Sequence, residues 1–243
     1  MNRRLTRAPV FLCANRGLER RVRTAGVPGS CDTGRRAWIP SAREIRYNAG
    51  MSAVLKTPMT LGVFLEWEGQ QPAKFEFDGF HPVGMNGVSV EHSTIQANLI
   101  TEIGLRLRGG PCRVHGSDLK IDAAGSVRYP DAFVVCSLVQ PGARIIADPV
   151  IVFEILSPST SYTDRIKKNL EYRRTPSIRR YVILEQNSQA ATVFTRDGED
   201  WKAETLLGDV TLALPEVGIA LPLAALYDTV SFPLDMEPDK AAD

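Results

Sequence analysis

Glu154 is the one ionisable residue in "VIVFEILSPST" (150–160), a run otherwise built of apolar and small residues. Side chains alternate along a strand, so Val150, Val152, Glu154 and Leu156 would share one face, and Ile151, Phe153 and Ile155 the other. A carboxylate among such neighbours costs on the order of several kcal/mol unless a cation, a hydrogen-bond network or a proton meets it. A second acid stands at the head of another apolar run, "VRYPDAFVVC" (127–136). There Pro130 is tolerated because the first residue of a strand needs no ladder hydrogen bond, and Asp131 follows it. If these strands are neighbours, Asp131 and Glu154 converge. Two such carboxylates suit Mg²⁺ or Mn²⁺, since Mg²⁺ takes one or two of them at roughly 2.0–2.1 Å and keeps several waters. A metal-activated water is a nucleophile for a phosphodiester, and the ion offsets the charge that builds on the phosphorus oxygens. Two blander readings stand beside this one. Glu154 could pair structurally with Arg179 or Arg180, and Asp131 could bond nearby backbone N–H groups of a turn.

The elements that must position these acids follow from periodicity. Leu61, Phe64 and Leu65 mark a short helix, and Phe75 and Phe77 alternate with Glu76 and Asp78 into a hairpin turning at Asp78-Gly79. Ile95, Leu99, Ile103 and Leu107 recur every four residues, which predicts a long helix with Ser93 as N-cap and Gly109-Gly110 as its stop. "CRVHGSDLKID", "SVRYPDAFVVC" and "DPVIVFEILS" read as consecutive strands of one sheet. In "SYTDRIKKNLEYRR" the period returns to helical, with Ile166 and Leu170 as the packing face and an end before Pro176. "RRYVILE" and a hairpin at Asp197-Gly198 complete the set. This order predicts an α/β fold, a central mixed β-sheet flanked by helices, within one domain at 51–235.

Composition bounds the rest. The formal charge of +1 conceals eleven Arg against three acids in residues 1–50, so the remainder is net negative. The first fifty residues have no sustained apolar period and are expected to be a disordered basic leader, with Met51 as an alternative natural start; 236–243 read as a disordered tail. No window is apolar for the roughly 18 residues that a membrane helix needs, so no membrane association and a cytoplasmic location are expected. Cys13, Cys31, Cys112 and Cys136 lack metal-ligand spacing, which makes reduced thiols the expectation, with Cys136 a small buried hydrophobe. "LSPST" lacks the Gly-x-Ser-x-Gly elbow of a serine hydrolase.

Taken in order, "FEFDG", "EHSTIQANL", "YPDAFVVC", "VFEILSPST", "TDRIKKNLEYRR" and "PSIRRYVILE" resemble the Uma-two family of restriction endonucleases, within the PD-(D/E)xK nuclease superfamily, from about Leu61 to Tyr227. The resemblance implies a restriction-endonuclease-like fold and a Mg²⁺-dependent endonuclease acting on DNA, with Asp131 and Glu154 binding the metal. One position departs from the superfamily motif: Leu156 stands where its lysine would be. The family pattern implies that Lys168 supplies this cation from the next helix. Asp164, Lys168 and Tyr172 fall at i, i+4 and i+8 on one stripe, whereas Lys167 is rotated away by about 100°. Lys168 also reads as a surface lysine paired with Asp164. Glu76 and Asp118 match further acidic positions, Glu76 the better, and His92 is a supporting candidate at the start of the long helix. Arg165, Lys167, Lys168, Arg173, Arg174, Arg179 and Arg180 concentrate positive charge after the acid pair, and a homodimer is expected to complete a DNA groove. The alternative, favoured by the negative domain and by Leu156, is a catalytically silent nuclease-fold module that binds nucleic acid or a protein partner.

Overall fold

The structure, a computed structural model, describes residues 58–157 and 160–232. The basic leader, Met51 and the 236–243 tail lie outside the described residues. Helix α1 (Leu61–Glu68) is capped by the Thr60 hydroxyl, which accepts from the Val63 N–H. The hairpin follows as β1 (Phe75–Phe77) and β2 (Pro82–Gly84). Its turn forms because Asp78 Oδ1 accepts from the N–H groups of Phe80 and His81, while Gly79 takes φ 92°, which glycine adopts without strain. Helix α2 (Val90–Leu107) buries Ile95, Leu99, Ile103 and Leu107, as the four-residue spacing predicts. Its N-cap is Ser89 rather than Ser93. The Ser93 N–H already bonds to the Ser89 carbonyl, so position 93 is one turn inside the helix.

The next strands are β3 (Arg113–Gly116), β4 (Lys120–Ala123), β5 (Ser126–Arg128), β6 (Ala132–Val135), β7 (Ile145–Ile146) and β8 (Ile151–Ile155). A π-helical segment (Thr163–Lys168) runs directly into α3 (Asn169–Arg174). Strands β9 (Arg180–Leu184), β10 (Ala190–Asp197), β11 (Asp200–Leu207), β12 (Thr211–Leu214) and β13 (Ile219–Pro222) complete the described chain, with a short 3₁₀ turn at Leu223–Tyr227. The central sheet is mixed and six-stranded, in the order β11-β10-β9-β8-β6-β3 with only β8 and β9 parallel.

The expectation that three consecutive runs belong to one sheet is corrected. Each of the first two runs breaks: β3 and β6 join the central sheet, while β4 and β5 join a second sheet, ordered β2-β1-β5-β4-β7. The break between β5 and β6 falls at Tyr129-Pro130-Asp131, where Pro130 cannot donate to a ladder. Arg128 and Asp131 therefore stand on either side of the crossing between sheets.

Alternation holds within β8, but Val150, just before it and expected on the face of Val152, packs against the opposite core. Ile151, Phe153 and Ile155 join a core with α2 and the Leu223–Tyr227 turn, whereas Val152 and Leu156 join a separate core with Phe133, Tyr172 and Tyr181. A third cluster packs α1 on the second sheet through Phe64, Trp67, Phe75 and Phe77. The reduced-thiol expectation is also corrected: Cys112 and Cys136 form a disulfide. They are the next antiparallel pair beyond Arg113↔Val135, a proximity set by β3–β6 register that residue spacing does not reveal. Among the described residues no helix is long and apolar enough to cross a membrane.

Candidate active site

Strands β6 and β8 pair antiparallel with Ala132 opposite Phe153, so extending the register by one residue sets Asp131 opposite Glu154. Asp131 is held at both ends. Its Oδ2 accepts the Ile155 N–H at 2.7 Å, and its carbonyl accepts from Gln96 Nε2 of α2 at 2.8 Å. His92, buried in the first turn of α2, brings Nε2 to 3.3 Å from Asp131 Oδ2. Glu154 is only 3% exposed, and what meets it comes from the helix after β8. Lys168 Nζ donates to Glu154 Oε1 at 3.0 Å, and the Tyr172 hydroxyl donates to the same oxygen at 2.6 Å. Lys168 Nζ also lies 3.1 Å from Asp164 Oδ1 and 3.3 Å from Glu76 Oε1.

Asp164, Lys168 and Tyr172 are thus one buried stripe, and Lys167 is exposed. The expectation that Ile166 and Leu170 pack is reversed, since both face solvent. A buried Glu154 demands a cation and hydrogen-bond donors, and this outweighs the few kcal/mol that burying two aliphatic side chains would bring. The π-helical segment that carries Asp164 to Lys168 is a departure from α geometry often found at functional sites.

Glu76 of β1 reaches the same cluster from the second sheet. Arg128 Nη1 donates to Glu76 Oε2 at 3.0 Å, and the Tyr129 N–H donates to Glu76 Oε1 at 3.1 Å. Arg128 grips Glu171 of α3 with two further bonds of 2.7 Å, which ties the second sheet to the helix bearing Lys168. Sequence reasoning left Arg128 and Glu171 without a role. The available signal was that buried acids need a buried cation, and Arg128 sits three residues before Asp131.

Burial pushes the Glu154 carboxyl well above its ordinary range, with Lys168 opposing and the nearby acids reinforcing. For Glu76 burial acts upward too, but Lys168, Arg128 and the Tyr129 N–H outweigh it and the net direction is down. Lys168 is desolvated, yet Glu154, Glu76 and Asp164 together hold it well above its ordinary value, so it stays an ammonium.

Asp131, Glu154, Glu76, Asp164, Lys168 and His92 line one cavity of about 210 Å³. Asp118 does not join them. It is a solvent-exposed acid paired with Lys74, because the chain turns at Ser117-Asp118 to leave the central sheet for β4. The pairing of Glu154 with Arg179 or Arg180 is also absent: Arg180 is engaged by Glu216, and Arg179 is exposed.

Among the described residues no three or more His, Cys, Asp or Glu are grouped as a metal site. The donors at hand are two hard carboxylates, Asp131 and Glu154, a set that fits Mg²⁺ or Mn²⁺ retaining most of its waters. The polar contacts they make among the described residues fall on Asp131 Oδ2 and Glu154 Oε1, one oxygen of each acid. Around them Glu76, Asp131, Glu154, Asp164 and Glu171 share only Lys168 and Arg128 as full cations, an excess of negative charge that a divalent ion would offset.

Known proteins share this arrangement of chain. A crystal structure from Anabaena variabilis ATCC 29413, described as a "putative nuclease belonging to DUF820", superposes with a TM-score of 0.60 at 20% identity, covering 70% of this chain and 98% of that one. The likeness is one of fold, and the fold is restriction-endonuclease-like, with mixed sheets and flanking helices. Two Synechocystis sp. proteins are similar in sequence. The protein slr1290 is 30% identical over 173 residues, 70% of this chain and 91% of its own length. The protein sll1609 is 24% identical over 157 residues, 62% of this chain and 89% of its own. Residues 62–224 match the family Uma2, described as "Putative restriction endonuclease". With that match spanning most of the described residues, the chain belongs to the Uma2 family.

Proposed function

We propose that this protein is a metal-dependent endonuclease that hydrolyses DNA phosphodiester bonds, with Asp131 and Glu154 holding Mg²⁺ or Mn²⁺. The observation that carries the reading is the meeting of Asp131, Glu154 and Lys168 in one cavity, from register-paired strands and the helix after them. Membership of a family described as restriction endonucleases supports the reaction class. When bound, the ion supplies Lewis-acid activation of water and neutralises charge on the phosphate. The chain's own residues divide the remaining work. Asp131 is oriented by the Ile155 N–H and His92. Tyr172 and Lys168 fix one Glu154 oxygen and leave the other to the ion. Lys168, held as an ammonium, serves as a cation toward the phosphate oxygens and not as a base. Glu76, itself held ionised by Arg128, helps keep Lys168 in place. A cavity of about 210 Å³ is smaller than the roughly 300–1,000 Å³ of whole-ligand pockets, which suits one phosphate of a polymer whose remainder lies outside.

The silent-module reading is favoured by one observation: Lys168 is saturated by three carboxylates, a closed network that stands without an ion. Calorimetric titration of Mn²⁺ into wild type and Asp131→Asn separates the two. Loss of the binding heat in the variant is the expected outcome, and identical heats would remove the enzyme reading. Plasmid nicking in Mn²⁺, abolished in Glu154→Gln, tests the chemistry itself.

A further inference from the structure

The basic residues between Arg165 and Arg180 divide into two sets. Arg165 is paired with Glu185, Lys168 with Glu154 and Arg180 with Glu216. Lys167, Arg173, Arg174 and Arg179 are exposed, and among the described residues they form no ion pair. These free cations follow one path away from the acids. Lys167 and Arg174 are seven residues apart, two turns of helix, and so share a face. Arg173 stands beside Arg174 at the end of α3. Arg179 lies further on, where its N–H donates to the Val150 carbonyl at 2.8 Å, just before β8. From Val150 to Glu154 the strand climbs about 13 Å, at roughly 3.3 Å per residue.

The far end of the path is built around Arg196 of β10. Its Nε donates to the Ile178 carbonyl at 2.8 Å, and its Nη2 to the carbonyls of Arg173 and Thr175 at 2.8 and 2.9 Å. The Trp201 ring lies 4.6 Å from the Arg196 guanidinium and 5.9 Å from that of Arg173. Burial, then repulsion from Arg179 and Arg173, holds Arg196 below its ordinary pKa, and Glu199 offsets this only in part. The partial negative charge at a helix end accounts for Arg173 and Arg174 in the last turn of α3, and the three carbonyls account for Arg196. Neither accounts for Arg179, a further cation brought to the group from outside any helix. Guanidinium groups gathered against their own repulsion suit phosphate, whose oxygens their planar fork matches. Cations strung over about 13 Å suit a polymer of phosphates, since duplex DNA carries one charge per roughly 1.7 Å of its axis.

We propose that Lys167, Arg173, Arg174 and Arg179 form a phosphate track, along which the backbone of duplex DNA runs from the acidic cavity over the exposed face of α3 to the Arg196–Trp201 group. This rests on the nuclease reading for the phosphate placed in the cavity, but the track is tested without cleavage. Binding of a labelled duplex to the full chain is followed by fluorescence anisotropy in EDTA from 50 to 200 mM salt. Each phosphate contact contributes about 0.9 to the slope of log affinity against log salt. Arg173→Ala combined with Arg179→Ala removes two contacts, so the affinity of wild type falls about tenfold more steeply over that range than the variant's. Lys167→Ala combined with Arg174→Ala does the same. Arg173→Lys combined with Arg179→Lys keeps the slope, which separates a phosphate contact from a loss of folding. Arg108→Ala, an exposed arginine at the end of α2, leaves slope and affinity unchanged. A wild-type slope in both alanine pairs overturns the proposal, as does an equal loss in Arg108→Ala or no duplex binding by wild type. Displacement of the duplex by polyglutamate at equal charge overturns it too, and assigns the patch to an acidic protein partner. If wild type shows no Asp131-dependent nicking, the nuclease reading fails, and the salt slopes still decide the track.

Discussion

Phe153 and Glu154 are neighbours in β8, yet they enter opposite worlds. Phe153 joins Ile151 and Ile155 in a continuous apolar core with α2. Glu154 turns to the other face of the same sheet, into a cluster of five carboxylates, two full cations and two tyrosine partners. The apolar face is stable through area removed from water and asks for no particular partner. The charged face is stable only while each buried group keeps its partner, and replacing such a network by apolar residues is often neutral or stabilising. One face supplies rigidity without specific partners, and the other holds a polar network in which each member depends on its neighbours.

The sharpest way to break this division is to mutate across it. Asp131→Asn and Glu154→Gln should cut Mn²⁺-supported plasmid nicking by about 10²-fold or more. Glu154→Gln should retain most of the stability, since burial already drives this carboxyl toward its neutral form. Phe153→Ala should do the reverse. It should lower unfolding stability by about 3–5 kcal/mol in urea titrations, while the folded fraction still nicks. A Glu154→Gln protein destabilised as much as Phe153→Ala would erase the contrast. Lys168→Met probes the charged face as a network. Removing the shared cation takes from the buried Asp164 its cationic partner and from Glu154 and Glu76 one of theirs, and a loss of about 3–5 kcal/mol is expected.

Titration sharpens the comparison further, because the apolar face has nothing to ionise. Glu154 has a raised pKa in the folded state, so its contribution to stability is fully present below its ordinary value of 4.5 and is lost as pH rises through the folded value. Glu76 is shifted down, so its contribution is present above 4.5 and is lost as pH falls through the folded value. Urea denaturation across pH should show Glu154→Gln flattening the alkaline side of the profile and Glu76→Gln the acid side. Mn²⁺ affinity should rise with pH, with proton release on binding, because the ligand carboxylate must be ionised. The smallest effect belongs to Asp118→Ala. Its carboxylate is exposed beside Lys74, so neither nicking rate nor unfolding midpoint should move.

Strand alternation around Glu154, the four-residue repeat of α2 and the Asp78-Gly79 turn were legible along the chain because each is a local periodicity or a local backbone preference. The pairing of Asp131 with Glu154 was legible as well, since two apolar strands with acids at matching positions have few ways to hide both. Ile166 and Leu170 were misread for a physical reason. Helical periodicity locates a stripe but not what it faces, and a buried carboxylate elsewhere claimed the polar stripe. The same limit concealed Arg128 clamping Glu76 to Glu171, the Cys112–Cys136 bridge, and the division of the strands between two sheets. Residue types and spacing carried the chemistry that is possible here. Which partners close on it was decided in three dimensions, where long-range register and competition for buried charge choose among contacts that are equally allowed along the chain.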